Sequence, residues 1–342
     1  MASPVSGQAT TYPFFSNGDT ARDSISMQVS LDHVLGAARR IAGHVRRTPL
    51  VHAVGLSRAS GREIWLKLET LQHARAFKWR GACNALLALA GRDPHLPPLV
   101  TASAGNHGVA LSGVAQDLGA SLTIHVPRSA PRAKLDRLRG QGITIVADCA
   151  DYDEAEARAS DAAAAGEAVF VSAYNDPDVI AGAGTIGLEV LDDLPRAGAI
   201  VVPTGGGGLL SGVAIAADGR VPVVGVEPSV NPAFTEALRA GRTTTITPGA
   251  SLADGLLGNM ERDALTFAIV KARGVPVRLV PERYVVEGVR ALFEQERLVA
   301  EGAGAIGVGA LLAGALDDLP DPLVLLVTGA NIDAVTFAGV IA

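Results

Sequence analysis

The chain has 342 residues, 48% of them hydrophobic, with 39 glycines and only 4% aromatics. That length suits two domains or one large one, with cores filled mainly by Ala, Val and Leu. A formal net charge of −6 gives no reason to expect nucleic acid or an anionic membrane as a partner, and two distant cysteines, Cys83 and Cys149, argue against a disulfide framework or a cysteine zinc site.

The first 28 residues are rich in Ser, Thr and Gly and lack helical periodicity. They carry no basic segment followed by an apolar core, so they read as a mobile lead-in rather than a secretory signal. Order is expected from Ser30, a natural N-cap for a helix over 31–45. Pro49 ends that helix, because the residue before a proline disfavours helical geometry. A strand is predicted over 63–69, then the stretch Ala76-Phe77-Lys78-Trp79-Arg80-Gly81-Ala82, then a helix over 83–90. From there, short apolar runs at 98–103, 121–126, 144–147, 168–172, 199–202, 221–226, 276–280 and 323–327 read as strands. Ala- and Leu-rich helices separate most of them, for example at 105–118, 131–139 and 154–164. This alternation is the pattern of parallel sheets covered by helices on both faces. The strands are too many for one compact sheet, so two α/β domains are expected. No apolar run is long enough to cross a bilayer.

Lys78 falls at a strand-to-helix junction, where an amine can project into a cleft. A lysine there can form a Schiff base with an aldehyde cofactor if its surroundings lower its pKa, and Phe77 could cover an aromatic ring. The plain alternative is a core aromatic beside a solvated cation. Four further junctions carry glycine. At Ser103-Ala104-Gly105-Asn106-His107, backbone amides, the Ser103 hydroxyl and the Asn106 amide could hold a carboxylate, or the stretch is only a tight turn. At Gly205, Gly206, Gly207 and Gly208, bare amides and a helix N-terminus suit a phosphate. The spacing matches neither a nucleoside triphosphate loop nor Gly-x-Gly-x-x-Gly, so a phosphate belonging to a cofactor fits better. Thr328-Gly329-Ala330-Asn331 follows the last strand, and the Thr328 hydroxyl could meet a ring nitrogen. Glu301 precedes a small-residue helix and reads as an acid favoured by the helix dipole.

Taken together these stretches resemble the serine/threonine dehydratase and serine racemase group of fold type II pyridoxal-phosphate enzymes. The resemblance spans 48–333 and includes Thr48-Pro49-Leu50, Lys67-Leu68-Glu69, Phe77-Lys78-x-Arg80-Gly81-Ala82, Ser103 to His107, Gly184-Thr185-Ile186-Gly187-Leu188-Glu189, the four glycines, Ala253-Asp254-Gly255 and Thr328 to Asn331. It implies two three-layer α/β domains: a large cofactor domain from 29–71 and 172–342, and a small domain from 72–171. It implies Lys78 as Schiff-base lysine and α-proton base, Phe77 on the pyridine ring, and Gly205 to Gly208 with Leu209 around the phosphate. Asn106 would meet the ring hydroxyl and Thr328 the ring nitrogen. Ser103, Ala104, Gly105, Asn106 and His107 would line the substrate carboxylate.

The expected activity is loss of water from a β-hydroxy-α-amino acid, threonine or serine by default, giving a 2-oxo acid and ammonia. A racemase on the same scaffold and a non-catalytic cofactor-binding protein are the alternatives. Where the group has Thr-Gly-Ser before the Phe-Lys pair, this chain has Ala74-Arg75-Ala76, which keeps a bulkier or charged analogue open. Ala183 replaces a common Gln. Related cation sites use the carboxylate matching Glu227 and a second one six residues on, here Ala233, so no metal is expected. The chain ends soon after Asn331, which predicts no amino-acid-sensing domain. A cytoplasmic homodimer is expected.

Overall fold

The computed structural model describes residues 29–130, 132–139 and 143–342; the expected lead-in lies outside them. Among the described residues ten strands form two sheets. The larger takes β1 (Leu50–His52), β2 (Ile64–Leu68), β7 (Ala199–Pro203), β8 (Val223–Pro228), β9 (Val277–Val280) and β10 (Leu323–Val327), in the order β1-β2-β10-β7-β8-β9. Only β1 runs antiparallel to its neighbour. The smaller takes β3 (Leu99–Ala102), β4 (Leu122–Pro127), β5 (Thr144–Cys149) and β6 (Val169–Phe170), in the order β5-β4-β3-β6, all parallel.

Strands β7 and β10 are buried along their whole length, as near-continuous Val/Leu/Ile runs are when helices cover both faces of a parallel sheet. Alternate residues go to opposite cores. Val201 and Leu325 pack with helices α2 (Val54–Ser60), α11 (Glu282–Glu296) and α12 (Gly302–Leu312) through Leu56, Leu292 and Ile306. Ile200, Val202, Val324 and Leu326 pack with α7 (Pro177–Asp193) and α8 (Gly208–Ala217) through Ile186, Val190, Leu210 and Val213. In the smaller sheet, Leu99 and Ile124 meet α3 (Lys78–Arg92) and α4 (Asn106–Asp117), while Val100 and Ala102 meet α6 (Tyr152–Ala164).

Three differences from expectation bear on the site and its surroundings, beyond shifts of a few residues at other element ends. Helix α1 (Leu31–Arg40) stops five residues early, and the turn after it takes Gly43 at φ 83°, where glycine carries no steric penalty. The three-residue β1 was not foreseen beside Pro49. Helix α3 begins at Lys78 itself rather than at Cys83. The remaining α-helices among the described residues are α5 (Arg132–Arg139), α9 (Ala233–Ala240), α10 (Leu265–Ala272) and α13 (Ala334–Ile341). Loops at the carboxyl ends of β2, β3, β6, β7 and β10 carry the singled-out residues, where ligands of open parallel sheets bind.

Candidate active site

Lys78 is held by a segment zipped to the loop after β10. Ala74 and Arg75 both sit in the left-handed region, at φ 55° and 53°, which swings the chain back toward residues 328–331. The Asn331 side-chain amide donates to the Ala74 carbonyl (2.9 Å), the Ala330 N–H to Arg75 (3.0 Å), and the Phe77 N–H to Thr328 (2.9 Å). Ala76 pairs with Gly329 as an isolated antiparallel bridge. The Lys78 amine then donates to the Ala173 carbonyl at 2.7 Å and lies 5.1 Å from the centre of the Phe77 ring. The residue keeps some exposure, but the amine is packed among protein atoms, and that burial lowers its pKa to about 8. About a tenth of the amine is then neutral at pH 7, far more than for an ordinary lysine.

At the head of α4 the Ser103 hydroxyl accepts the Gly105 N–H (3.2 Å). His107 is buried, with Nε2 3.2 Å from the Val171 carbonyl. A carbonyl only accepts, so Nε2 carries the proton and Nδ1, which has no partner, is bare. Burial, with the Lys78 charge added, holds this imidazole near 3 and therefore neutral. Its side chain has no N–H left for a substrate carboxylate; its backbone N–H is what it can offer.

Asn106, Glu301 and Asn331 form a closed polar triangle. The Asn106 Nδ2 donates to Glu301 Oε1 (2.7 Å), the Asn331 Nδ2 donates to Asn106 Oδ1 (2.6 Å), and the Asn331 N–H donates to Glu301 Oε2 (3.1 Å). Glu301 is the N-cap residue of α12, yet its side chain does not cap that helix. The expected dipole role gives way to holding Asn106, a partner 195 residues away in sequence. Burial, with the nearby Asp254 charge, raises its carboxyl to about 7 despite the two hydrogen bonds. The folded state therefore binds this proton more tightly than the unfolded chain. Stability should fall as pH rises from about 4.5 to about 7. Glu301→Gln should flatten that slope relative to the wild type in denaturant melts at pH 5, 6 and 7; parallel slopes would contradict the assignment.

The glycine loop is shaped by an aromatic ring. A Cβ on Gly206 would run into the Tyr174 ring, and one on Gly208 would come within 2.8 Å of the Tyr174 carbonyl. Gly207, at φ 86°, lies against Phe234. The Thr266 hydroxyl donates to the Gly206 carbonyl (2.7 Å). Helix α8 begins at Gly208, so the amides of Gly208, Leu209 and Leu210 have no carbonyl four residues back within the helix. Glu261 clamps the segment opposite: its carboxylate accepts from the Ser172 hydroxyl (3.0 Å) and the Asn175 side chain (2.6 Å), and its N–H donates to the Tyr174 hydroxyl (2.8 Å).

Thus the junctions converge. Ala173 takes the Lys78 amine, its neighbour Tyr174 covers the glycine loop, Thr328 holds Phe77, and Asn331 holds Asn106. Thr328 itself is buried, its hydroxyl 3.5 Å from the Ala303 carbonyl. Leu209 is buried, and Ala104 and Gly105 lie at the head of α4. Arg75 is exposed. Both oxygens of the Glu227 carboxylate accept helix-capping amides, from Phe234 (3.0 Å) and Thr235 (2.8 Å). Among the described residues no group of three or more His, Cys, Asp or Glu side chains is placed to hold a metal.

The family described as "Pyridoxal-phosphate dependent enzyme" matches residues 41–329. The chain belongs to this family. An L-threonine ammonia-lyase of Thermotoga maritima is 39% identical over 308 residues, covering 89% of this chain and 76% of the relative. A T.th. threonine deaminase structure matches with a TM-score of 0.81 at 34% identity, over 89% of this chain and 99% of that one. A maize serine racemase structure matches with a TM-score of 0.84 at 30% identity, over 91% and 96%.

Pyridoxal phosphate fits what this member of the family presents. The glycine loop has no acid, its helix leads with free-pointing amides, and the enclosed Lys78 amine is partly neutral. Sequence reasoning missed Tyr174 and Glu261 and misjudged Glu301. One signal was available: Tyr174 is one of four tyrosines, placed just past a strand end and before the Gly-x-Gly-Thr helix.

Proposed function

We propose that this pyridoxal-phosphate enzyme is an ammonia-lyase that removes water from threonine or serine and yields a 2-oxo acid and ammonia. The observation that carries this reading is the enclosed Lys78 amine, held on the Ala173 carbonyl at the convergence of the glycine loop, Asn106 and Thr328. The threonine ammonia-lyase and deaminase relatives support the substrate class.

When bound, the cofactor supplies the electron sink that makes the substrate α-proton removable. The chain's own residues do the rest. The Gly205 to Gly208 loop and Leu209 would hold the phosphate through main-chain amides. Asn106 has one Nδ2 proton left after Glu301, and it would go to the ring hydroxyl. The Thr328 hydroxyl, held only loosely at 3.5 Å, would give its proton to the ring nitrogen. Phe77 would pack on the ring. The Ser103 hydroxyl and the main-chain N–H groups of Asn106 and His107 would hold the substrate carboxylate. Lys78 Nζ, in its neutral form, would take the α-proton. Tyr174 and its Glu261 clamp would keep water from the loop.

The same reading carries the division into 29–71 with 172–342, and 72–171. It is supported by the two sheets, whose strands come from 50–68 with 199–327, and from 99–170. It also carries a homodimer acting in the cytoplasm. Sedimentation should give twice 34.9 kDa, and a monomer would remove that part.

The racemase reading is disfavoured by one residue. Racemisation needs an acid on the face of the α-carbon opposite Lys78. A Ser immediately before Gly-Asn-His would supply it; this chain has Ala104, and a methyl group donates no proton. Incubation with L-serine should give 2-oxo acid with D-serine a minor product at most. Ala104→Ser should raise the ratio of racemisation to elimination by about tenfold or more. Mostly D-serine from the natural chain would overturn this reading.

A further inference from the structure

Two residues beyond Lys78, Arg80 enters a charge cluster that is buried except at one edge. Lys67, Glu69 and Arg80 are all 0% exposed, and the Glu189 side chain is 14% exposed. Arg80 Nε and Nη2 donate to the two oxygens of Glu69 (both 2.8 Å). Its Nη1 and Nη2 donate to the two oxygens of Glu189 (2.6 and 2.9 Å), with Thr185 and the Arg46 carbonyl as further acceptors. Lys67 donates to Glu189 and to the Thr48 carbonyl (both 2.6 Å), and the Thr48 hydroxyl donates to Glu69 (2.5 Å). The cluster ties three elements together: β2, α7 and the first turn of α3.

Stability alone is a poor reason for such a cluster. Burying charges is costly, and well-packed apolar replacements are often neutral or stabilising. What the cluster supplies is direction. The planar guanidinium grips two carboxylates from two different elements, which fixes both the rotation and the height of α3. Two residues along a helix turn it by about 200°, so anchoring Arg80 on one side aims Lys78 toward the other. The helices also meet backbone to backbone just here. A Cβ on Gly182 would lie 2.5 Å from the Arg80 carbonyl oxygen, and one on Gly81 2.9 Å from Val179. The head of α3 has no side-chain cap to do this work.

We propose that the Lys67–Glu69–Arg80–Glu189 cluster is a positioning device for Lys78, with Arg80 as the residue that sets where the amine is presented. This rests on the proposed function for the role of Lys78, but not for the geometry. The first test uses cofactor-free protein, acetylated across pH and read by peptide mass spectrometry, with exposed Lys271 as reference. Wild-type Lys78 should label with a midpoint near 8. In Arg80→Met the loosened amine should move up by about one pH unit or more, toward an ordinary lysine. In the cofactor-loaded enzyme kcat should fall about 100-fold with KM changed less than about threefold, the split expected of lost positioning rather than lost binding. Arg80→Lys keeps the charge without the fork. It should recover the melting temperature but neither the Lys78 midpoint nor kcat. If Arg80→Met does not fold, Arg80→Lys decides alone by the same two readouts. A folded variant with wild-type midpoint and wild-type kcat would overturn the proposal. Failure of the wild type to take up pyridoxal phosphate would end the proposed function, while the labelling midpoints would still decide on the cluster.

Discussion

Lys78→Ala should lose at least about 1,000-fold in threonine turnover, since it removes the proposed general base and the covalent anchor together. The fold should survive. The Lys78 amine donates to one carbonyl, that of Ala173, and its pKa of about 8 shows that burial works against its charge. Removing the group ends that cost and leaves one carbonyl to be met by water, so the melting temperature should change by only a few degrees, the effect of about 1 kcal/mol. Direct assay of 2-oxo acid, with ammonia measured in parallel, reads the loss. Turnover within about tenfold of the wild type would remove Lys78 from the chemistry.

Gly206→Val should cost both stability and cofactor. A Cβ at this position collides with the ring of Tyr174, whose hydroxyl is in turn held by the Glu261 N–H. The ring cannot step aside without breaking that clamp. Overpacking of this kind costs about 1–3 kcal/mol, which thermal melting will register. The displaced loop should also bind pyridoxal phosphate at least about 100-fold more weakly, because main-chain amides fix a phosphate only when their spacing is kept. The pair Gly206→Val with Tyr174→Ala separates the two effects. It makes room for the valine, so stability should largely return while cofactor affinity stays low. Full affinity in Gly206→Val itself would contradict the phosphate assignment.

Much of the architecture was legible because it rests on local pattern. Leu323–Val327 is an unbroken apolar run between Pro322 and Thr328, and its strand boundaries match expectation to the residue. The glycine loop was visible for the same reason: a strand, four glycines, then a helix. What stayed hidden depends on contacts distant in sequence. Helix α3 starts at Lys78 because the Phe77 amide is taken by Thr328, some 250 residues later, and no local cap announces it. Glu301 looked like a dipole acid because its real partners, Asn106 and Asn331, come together only through the packing of both sheets' loops. Tyr174 belongs to no spacing rule; only the fold brings its ring over Gly206. Nothing local to Lys67-Leu68-Glu69 names the partners of Lys67, which is wholly buried and held by Glu189 from α7.

That placement of the lysines makes the central claim directly testable. The chain has four: Lys67, Lys78, Lys134 and Lys271. Lys67 is bound to Glu189 and the Thr48 carbonyl, and Lys271 donates to the Gly241 carbonyl at the surface. Purified protein loaded with pyridoxal phosphate, reduced with borohydride, digested and mapped by mass spectrometry should carry the cofactor's mass on the Lys78 peptide alone. The label on Lys67, Lys134 or Lys271 instead, or none at all on a protein that has taken up the cofactor, would contradict the account.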